Sequence, residues 1–400
     1  MNLNKVRRVL LLVLFTSAVF YGGYRYGVWR EEGLKKTQIS LDTTSMSEVL
    51  ERLKQSYLKT EDIDNTKLMY GATEGMTRAL GDPYTNFFPP VENNRSKEDL
   101  SGEFGGVGIE LGYIDKTLAV VAPIKDSPAM KAGVKAGDLI LNIKDEANNV
   151  DKDTSGISLD DAVNLIRGIK GTTVTLSMYR EGDPKSKEVS LVRDTIVVPS
   201  TELKWIDDGK VAWVGVSKFG EKTLPEWEKI VTEIKSKKAT GVILDLRNNP
   251  GGFLQRAVDL GSEFIANGVI VKQRDKVNTE IMNVDRNGKL IGMPLVVLIN
   301  QGSASASEIL AGALRERLGT KLVGEKSFGK GTVQEAQELA DGSGLHVTVA
   351  EWLLPSGKNI HGNGLDPDVL VEFEADEKDP TADNQLDKAL EVLKAQIASK

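Results

Sequence analysis

The spacing of apolar residues changes twice along the chain and predicts three kinds of structure. Before residue 101, apolar residues recur every three or four positions, which predicts amphipathic helices. These residues are Val49, Leu50, Leu53 and Tyr57 in one stretch and Leu68, Met69, Ala72, Met76 and Leu80 in another. Between residues 102 and 195, short alternating runs predict a small β-rich domain. From about residue 196, strands alternate with helical patterns, which indicates a largely parallel sheet covered by helices.

These patterns predict an α/β (α+β multi-domain) protein with several regions. The polar residues 91–101 look like a boundary in front of the β-rich domain. The expected regions are 1–30 as a signal-anchor or signal peptide, 31–101 as a tether with N-terminal helices, 102–195 as the β-rich domain, 196–375 as the α/β core, and 376–400 as an acidic loop with a final helix.

The N-terminal residues carry a targeting pattern. Basic residues precede an uncharged run from Val9 to Tyr24, and Tyr26 to Trp29 could extend this run past Arg25. The run is shorter than the ~20 residues of a full membrane span, so an uncleaved anchor over 9–29, a cleaved signal and a buried helix all remain open. By the positive-inside rule, we expect a single-pass membrane protein with its body outside the cytoplasm, or a secreted protein if the signal is cleaved.

Composition narrows the classes of function. The net charge is −7, so the basic surface of a nucleic-acid-binding protein is not expected. The chain has no cysteine and only two histidines, His346 and His361. Thiol catalysis is therefore excluded, and neither a Ser-His-Asp triad nor a histidine-rich metal site is favoured. We expect no metal and no cofactor.

A serine-rich turn is the first candidate for chemistry. The apolar run PLVVLIN is followed by QGSASASE and then by a helical pattern, so Ser305 would lie at the start of a helix. Free backbone N–H groups there can stabilise an oxyanion. The same residues also fit a simple capping box formed by Ser305 and Glu308.

Lys330 is the candidate base. It lies in GEKSFGKGT, which resembles a phosphate-binding P-loop, but Gly331 stands where that motif needs a hydroxyl. An Asp341-Gly342 turn between alternating runs predicts a β-hairpin after the lysine, where a P-loop requires a helix. A buried lysine can lose its proton and activate a serine, although most loop lysines are simply solvated.

Taken together, these motifs resemble the carboxyl-terminal processing (tail-specific) serine peptidases. The resemblance covers nearly everything after about residue 45, including DPYTNFF, LDLRNNPGG, GSASASEILAGAL, SFGKGTVQ and IHGNGLDPD. It implies a core similar to crotonase and Clp protease, with Ser305 as nucleophile and Lys330 as general base. It also implies that Gln334 holds the lysine and that the backbone N–H groups of Gly251 and Ala306 form the oxyanion hole. His361 departs from the family pattern, in which a glutamine-like residue is expected, and is interpreted as structural.

In the same family, the 102–195 region is an inserted PDZ domain, which binds the C-terminus of a peptide as an added strand. The resemblance implies that a glycine-rich loop binds the terminal carboxylate, and this loop comprises Gly105, Gly106, Val107 and Gly108. Arg167, at the end of a predicted helix, could sense the bound peptide or be an ordinary solvated arginine.

The sequence therefore predicts a serine endopeptidase with a Ser-Lys dyad that cleaves proteins near their C-termini. The expected partners are proteins or peptides with free, apolar C-termini, together with a membrane through the N-terminal segment and a possible second copy of the chain. The alternatives are a catalytically silent PDZ scaffold or chaperone and, less favoured, a P-loop nucleotidase.

Overall fold

The computed structural model describes residues 42–375, residue 379 and residues 382–399. Within this part of the chain, residues up to Met69 belong to one compact unit and residues from Tyr70 onward to a second. The first unit contains helix α1 (Thr44–Ser56), a 3-10 turn (Thr60–Asp62) and the beginning of helix α2 (Asn65–Arg78). The two helices confirm the prediction from apolar spacing.

The predicted targeting segment, including the anchor over 9–29, lies outside the described residues. In the part of the chain that the structure describes, no helix has the length and apolar character needed to cross a membrane. The prediction of a single-pass membrane protein with an extracytoplasmic body is therefore corrected. It depended on an uncharged run that is shorter than a full span and is interrupted by Arg25.

The polar stretch 91–101, which the sequence suggests as a boundary, forms a helix. Helix α3 (Pro90–Ser101) follows strand β1 (Asn86–Phe88) and ends at Gly102, whose φ of 75° terminates the helix. The helix buries Asn93, and its other side chains are at least partly exposed. Its sequence therefore lacks the apolar stripe from which a helix can be predicted.

Strands β2 to β9 form the β-rich domain. Its elements are β2 (Glu103–Gly106), β3 (Ile109–Ile114), β4 (Thr117–Pro123), α4 (Pro128–Lys131), β5 (Leu139–Asp145), a 3-10 turn (Glu146–Asn148), β6 (Val150–Asp153), α5 (Leu159–Ile166), β7 (Thr173–Tyr179), β8 (Lys187–Val192) and β9 (Asp194–Val197). The main sheet has the order β3-β4-β5-β7-β8, with β6 on β5, and β2 pairs with β9. Among the described strands, β3 pairs only with β4, so one of its edges is open.

The following region is built on a six-stranded sheet of order β10-β11-β12-β15-β16-β19. Its elements are β10 (Thr201–Ile206), β11 (Val211–Val216), α6 (Thr223–Ser236), β12 (Gly241–Asp245), α7 (Leu254–Phe264), β15 (Leu295–Ile299), α8 (Ala306–Leu318), β16 (Lys321–Gly324), β19 (Val369–Leu370) and α9 (Asn384–Ala398). Strands β11, β12, β15, β16 and β19 pair in parallel, as predicted from the alternation of strands and helices.

Each face of this sheet packs against helices. Val242 and Leu244 on β12 belong to a core shared with α6, α7 and α8, whereas Ile243 between them packs with Ala389 and Leu393 of α9. Because side chains alternate along a strand, a continuous apolar strand must be covered on both sides.

A second, antiparallel sheet covers the other side of the first core. It comprises β1, β13 (Val269–Arg274), β14 (Thr279–Asn283), β17 (Thr332–Glu338) and β18 (Gly344–Leu353). Ile270 and Trp352 of this sheet share the core of α7 and α8. Strands β17 and β18 form the predicted hairpin, so no helix follows Lys330 and the P-loop interpretation is wrong.

Candidate active site

Three neighbouring parallel strands bring the candidate catalytic segments together. Strands β12, β15 and β16 lie side by side, and their carboxyl ends therefore meet at one edge of the sheet. The turn with Gly251 follows β12, the turn with Ser305 follows β15, and the loop with Lys330 follows β16. The topology explains why motifs that are far apart in sequence form one site.

Ser305 occupies a strained position at the start of α8. Its φ of 53° and ψ of −115° lie outside the regions that residues other than glycine commonly adopt. The turn is fixed by Ser303, whose hydroxyl accepts the Asn300 N–H at 3.0 Å and donates to the Leu246 carbonyl at 2.8 Å. Backbone strain held by such contacts is typical of functional positions.

Glu308 links this turn to the loop of Lys330. Its Oε2 atom accepts the backbone N–H of Ser305 and that of Lys330, each at 2.9 Å. Its Oε1 atom accepts the Ser327 hydroxyl at 2.6 Å and the Gly329 N–H at 2.7 Å. The side chain is fully buried, and burial raises the pKa of the carboxyl while these hydrogen bonds oppose the increase. The sequence identified Glu308 only as a helix cap.

Lys330 is half-buried and has a perturbed ammonium group. Burial lowers the pKa of Lys330 below its ordinary value, and the charge of Asp82 opposes this shift. The Nζ atom lies 5.1 Å from the centroid of the Tyr84 ring. The backbone of Lys330 is fixed on both sides, because its carbonyl accepts the indole N–H of Trp352 at 2.8 Å and its N–H donates to Glu308.

Gln334 lies on β17 and is held by two threonines. Its Nε2 atom donates to the hydroxyl of Thr332 at 3.0 Å and to that of Thr348 at 3.1 Å. Among the hydrogen bonds of the described residues, none joins Gln334 to Lys330, and none joins the Ser305 hydroxyl to the Lys330 ammonium. The structure therefore places these groups in one region without a closed hydrogen-bonded relay.

Gly251 lies directly against the turn that carries Ser305. A Cβ atom on Gly251 would come within 2.8 Å of the Ser305 Cβ and 3.0 Å of the Ala306 nitrogen. Its φ of 103° also favours glycine. However, the Gly251 N–H donates to the Asn249 Oδ1 at 2.9 Å, so this predicted oxyanion donor is occupied within the chain. Ala306 is the first residue of α8, where an N–H has no partner within the helix.

Both histidines lie near the lysine loop. The ring of His346 meets that of Phe88 edge-on at 4.7 Å, and burial, followed by the charge of Lys330, lowers the pKa of His346. The Nδ1 atom of His361 accepts the Gly331 N–H at 3.3 Å. Sequence reasoning did not place His346 beside Lys330, because a lone histidine in a β-hairpin gives no signal of its neighbours.

The glycine-rich loop of the β-rich domain runs from β2 into β3. The carbonyl of Val107 accepts the Ala129 N–H and the carbonyl of Gly108 accepts the Ile124 N–H, each at 2.9 Å. The carbonyl of Gly105 accepts the Gly168 N–H at 3.0 Å. Gly106 ends β2, opposite the first residue of β9. These contacts fix the loop between the open edge of β3 and the end of α5.

Arg167 follows α5 and contacts the helix that precedes the domain. Its guanidinium carbon lies 3.9 Å from the centroid of the Phe104 ring, and a guanidinium nitrogen lies 3.9 Å from the Glu98 carboxylate. The residue is therefore partnered by α3 and β2 and is not a freely solvated side chain.

A strained serine turn and a half-buried lysine on an α/β core, joined to a β-rich domain with an open strand, are features of a PDZ-containing serine peptidase. Comparisons with known proteins agree with this class. The model of peptidase family S41 matches residues 210–371, and the model of the PDZ domain matches residues 105–191.

Two curated relatives are similar over most of their own length. The carboxy-terminal processing protease CtpA of Bacillus subtilis is 38% identical over 330 residues, which cover 82% of this chain and 68% of the relative. A carboxy-terminal-processing protease of Bartonella bacilliformis is 38% identical over 337 residues, covering 83% and 75%. This chain therefore belongs to the carboxy-terminal processing proteases of peptidase family S41, and it is a serine peptidase.

One solved structure supports the fold. A protein from Bacteroides fragilis that is provisionally assigned as an S41 protease superposes with a TM-score of 0.55. The match covers 89% of this chain and 98% of that protein, at 16% identity. At this identity the likeness concerns the fold alone.

Proposed function

We propose that the chain cleaves protein substrates near their C-termini with Ser305 as nucleophile and Lys330 as general base. The observation that carries the proposal is the shared Oε2 atom of Glu308, which accepts the backbone N–H groups of both residues at 2.9 Å. The two backbone nitrogens cannot be farther apart than twice that distance. Because burial lowers the pKa of Lys330, a larger fraction of its amine is neutral and able to accept a proton.

The chemistry follows the pattern of acyl transfer. Neutral Lys330 removes the proton from the Ser305 hydroxyl as its oxygen attacks the substrate carbonyl carbon. The lysine then donates this proton to the leaving amine, and an acyl-enzyme remains on Ser305. In the second half, water gives a proton to Lys330 as its oxygen attacks the acyl carbon. Lys330 then returns the proton to the Ser305 oxygen as the ester bond breaks, which releases the new carboxyl terminus and the free serine.

The oxyanion hole needs one rearrangement. We assign the backbone N–H groups of Gly251 and Ala306 to it, because Gly251 packs against Ser305 and Ala306 begins α8. The Gly251 N–H must leave Asn249 Oδ1 and turn to the substrate oxygen. In this proposal, the arrangement with the Gly251 N–H bound to Asn249 is a resting state, and substrate binding completes the oxyanion hole.

Gln334 would orient the neutral amine. Both hydrogens of its amide nitrogen are directed to threonine hydroxyls, which leaves the carbonyl oxygen as the atom that can accept from Lys330. A hydrogen bond of this kind would form when the lysine moves toward Ser305.

Substrate tails would bind to the PDZ domain. The open edge of β3 can pair with an extended peptide, and the loop Gly105–Gly108 can offer N–H groups to its terminal carboxylate. Ile109, Leu111 and Leu165 pack partly buried beside this edge, which favours an apolar last residue. Arg167 would exchange its partner Glu98 for the carboxylate of the tail. Pairing of two copies of the chain stays a prediction.

Two measurements on the purified full chain test the proposal. A fluorophosphonate should label Ser305 in the wild type and not in Lys330→Met, as read by mass spectrometry of the labelled peptide. A substrate with an amidated C-terminus should be cleaved several-fold more slowly than the same substrate with a free carboxylate. Labelling of another serine would refute the nucleophile assignment, and equal cleavage of both substrates would refute tail recognition.

A further inference from the structure

Glu308 accepts more hydrogen bonds than helix capping requires. A capping glutamate needs to accept only the N–H of its own N-cap residue, here Ser305. Glu308 also accepts the Ser327 hydroxyl and the N–H groups of Gly329 and Lys330, which all belong to the loop after β16. The carboxylate thus joins two segments that carry different members of the proposed dyad.

The donors are distributed so that both carboxylate oxygens are required. Oε2 accepts from Ser305 and Lys330, whereas Oε1 accepts from Ser327 and Gly329. An amide in the place of the carboxylate would direct its NH₂ group at the N–H groups of Ser305 and Lys330 in one orientation and at the Gly329 N–H in the other. Only an anionic acceptor with two equivalent oxygens satisfies this arrangement without leaving buried donors unpaired.

We propose that Glu308 is a positioning residue that sets the separation between the nucleophile Ser305 and the base Lys330. The proposal rests on the Ser-Lys mechanism above and goes beyond the cap that the sequence suggests. A displacement of about 1 Å at reacting groups can lower turnover by about 100-fold. Loss of the link should therefore act on the chemical step more than on substrate binding.

The link also controls the environment of Lys330. The titratable groups near the lysine amine are Asp82 and Tyr84 ahead of β1 and His346 on β18, whereas the Glu308 carboxylate binds the backbone N–H of Lys330. A loop released from Glu308 would admit water around the amine and relieve the burial that depresses its pKa. The pH at half-maximal rate should then shift upward, toward the ordinary lysine value of about 10.4.

The test compares Glu308→Gln and Glu308→Asp with the wild type in the full chain. We expect Glu308→Gln to lower kcat by about 100-fold while KM stays within about 3-fold. Its pH at half-maximal rate should rise by about one unit or more. Glu308→Asp keeps the charge on a shorter side chain, so its kcat should lie between those of the wild type and Glu308→Gln.

Glu226 supplies a matched control. Its Oε2 atom accepts the backbone N–H groups of Ser200 at 2.8 Å and Thr201 at 3.1 Å, in contacts that involve no candidate catalytic residue. Glu226→Gln should lower the thermal midpoint without moving kcat or the pH profile. If Glu308→Gln, like Glu226→Gln, lowers the thermal midpoint and leaves kcat and the pH profile unchanged, Glu308 is a structural cap and the inference is wrong.

The outcomes separate this inference from the proposed function. If Lys330→Met retains wild-type turnover, the Ser-Lys dyad is refuted, and the positioning role of Glu308 is refuted as well. If Lys330→Met is inactive and Glu308→Gln matches the wild type in kcat and pH profile, only the positioning role is refuted. If Glu308→Gln does not fold, Glu308→Asp decides, and wild-type kcat and pH dependence in that variant would overturn the inference.

Discussion

Replacing Lys330 with arginine separates its charge from its ability to accept a proton. Arginine stays protonated in any protein environment, so Lys330→Arg keeps the positive charge near Tyr84 and removes the base. The two backbone contacts of position 330, with Glu308 and Trp352, do not involve the side chain and should persist. The loop should therefore keep its position, and the loss should fall on catalysis.

The expected loss follows from the role of the base. General-base catalysis contributes about 10²–10⁴-fold, which corresponds to about 3–5 kcal/mol in the activation free energy. Because the proposed nucleophile and base would act as a unit, Lys330→Arg should be as inactive as Lys330→Ala and Ser305→Ala. The assay is steady-state cleavage of an unfolded protein with a free apolar C-terminus, with circular dichroism to verify folding.

One result would contradict the assignment. If folded Lys330→Arg kept about a tenth or more of wild-type turnover, a permanently charged residue could do the work of Lys330, and a general base would not be its role. A lysine that only attracts an anionic group predicts that outcome, because arginine would preserve the attraction.

Two further predictions concern pH and the PDZ domain. Since burial lowers the pKa of Lys330 and the neutral amine is the proposed base, wild-type turnover should fall as the solution is acidified through that pKa. A rate that does not fall on acidification while the protein stays folded would argue against the lysine. In the PDZ domain, Arg193 and Asp145 are 1% and 2% exposed and pair at 2.8 Å. Arg193→Met should lower the free energy of unfolding in urea by about 3–5 kcal/mol, because it leaves the Asp145 carboxylate buried and without its ion pair. As a control, Lys187→Met removes an ion pair whose lysine is exposed and should lower it by less than about 1 kcal/mol.

The parts that the sequence predicts well are those encoded by local patterns. Apolar spacing identified α1 and α2, and the Asp341-Gly342 turn identified the hairpin that excluded a P-loop. Alternating strands and helices predicted the parallel sheet, whose carboxyl ends then carry the candidate site. Helix α3 was missed because its exposed residues are polar on most sides and give no periodic signal.

The contacts that the sequence could not predict are made between distant segments. Glu308 looked like a cap, since nothing in the local pattern indicates that the loop of Lys330 returns to the same carboxylate. Likewise, Asp82 and Tyr84 lie in a different region of the sequence from Lys330, and only the pairing of β1 with β18 brings them near it. The occupied N–H of Gly251 depends on a side-chain conformation that sequence does not specify.

The pairing of β1 with β18 has a consequence during synthesis on the ribosome. The Thr348 N–H donates to the hydroxyl of Thr85 across 263 residues of sequence, and the whole PDZ domain is made between these two positions. Such distant contacts form only after the second partner has been translated. A nascent chain that already carries a folded PDZ domain therefore still lacks the surroundings of Lys330, and the candidate site is completed only when β18 has been made and pairs with β1.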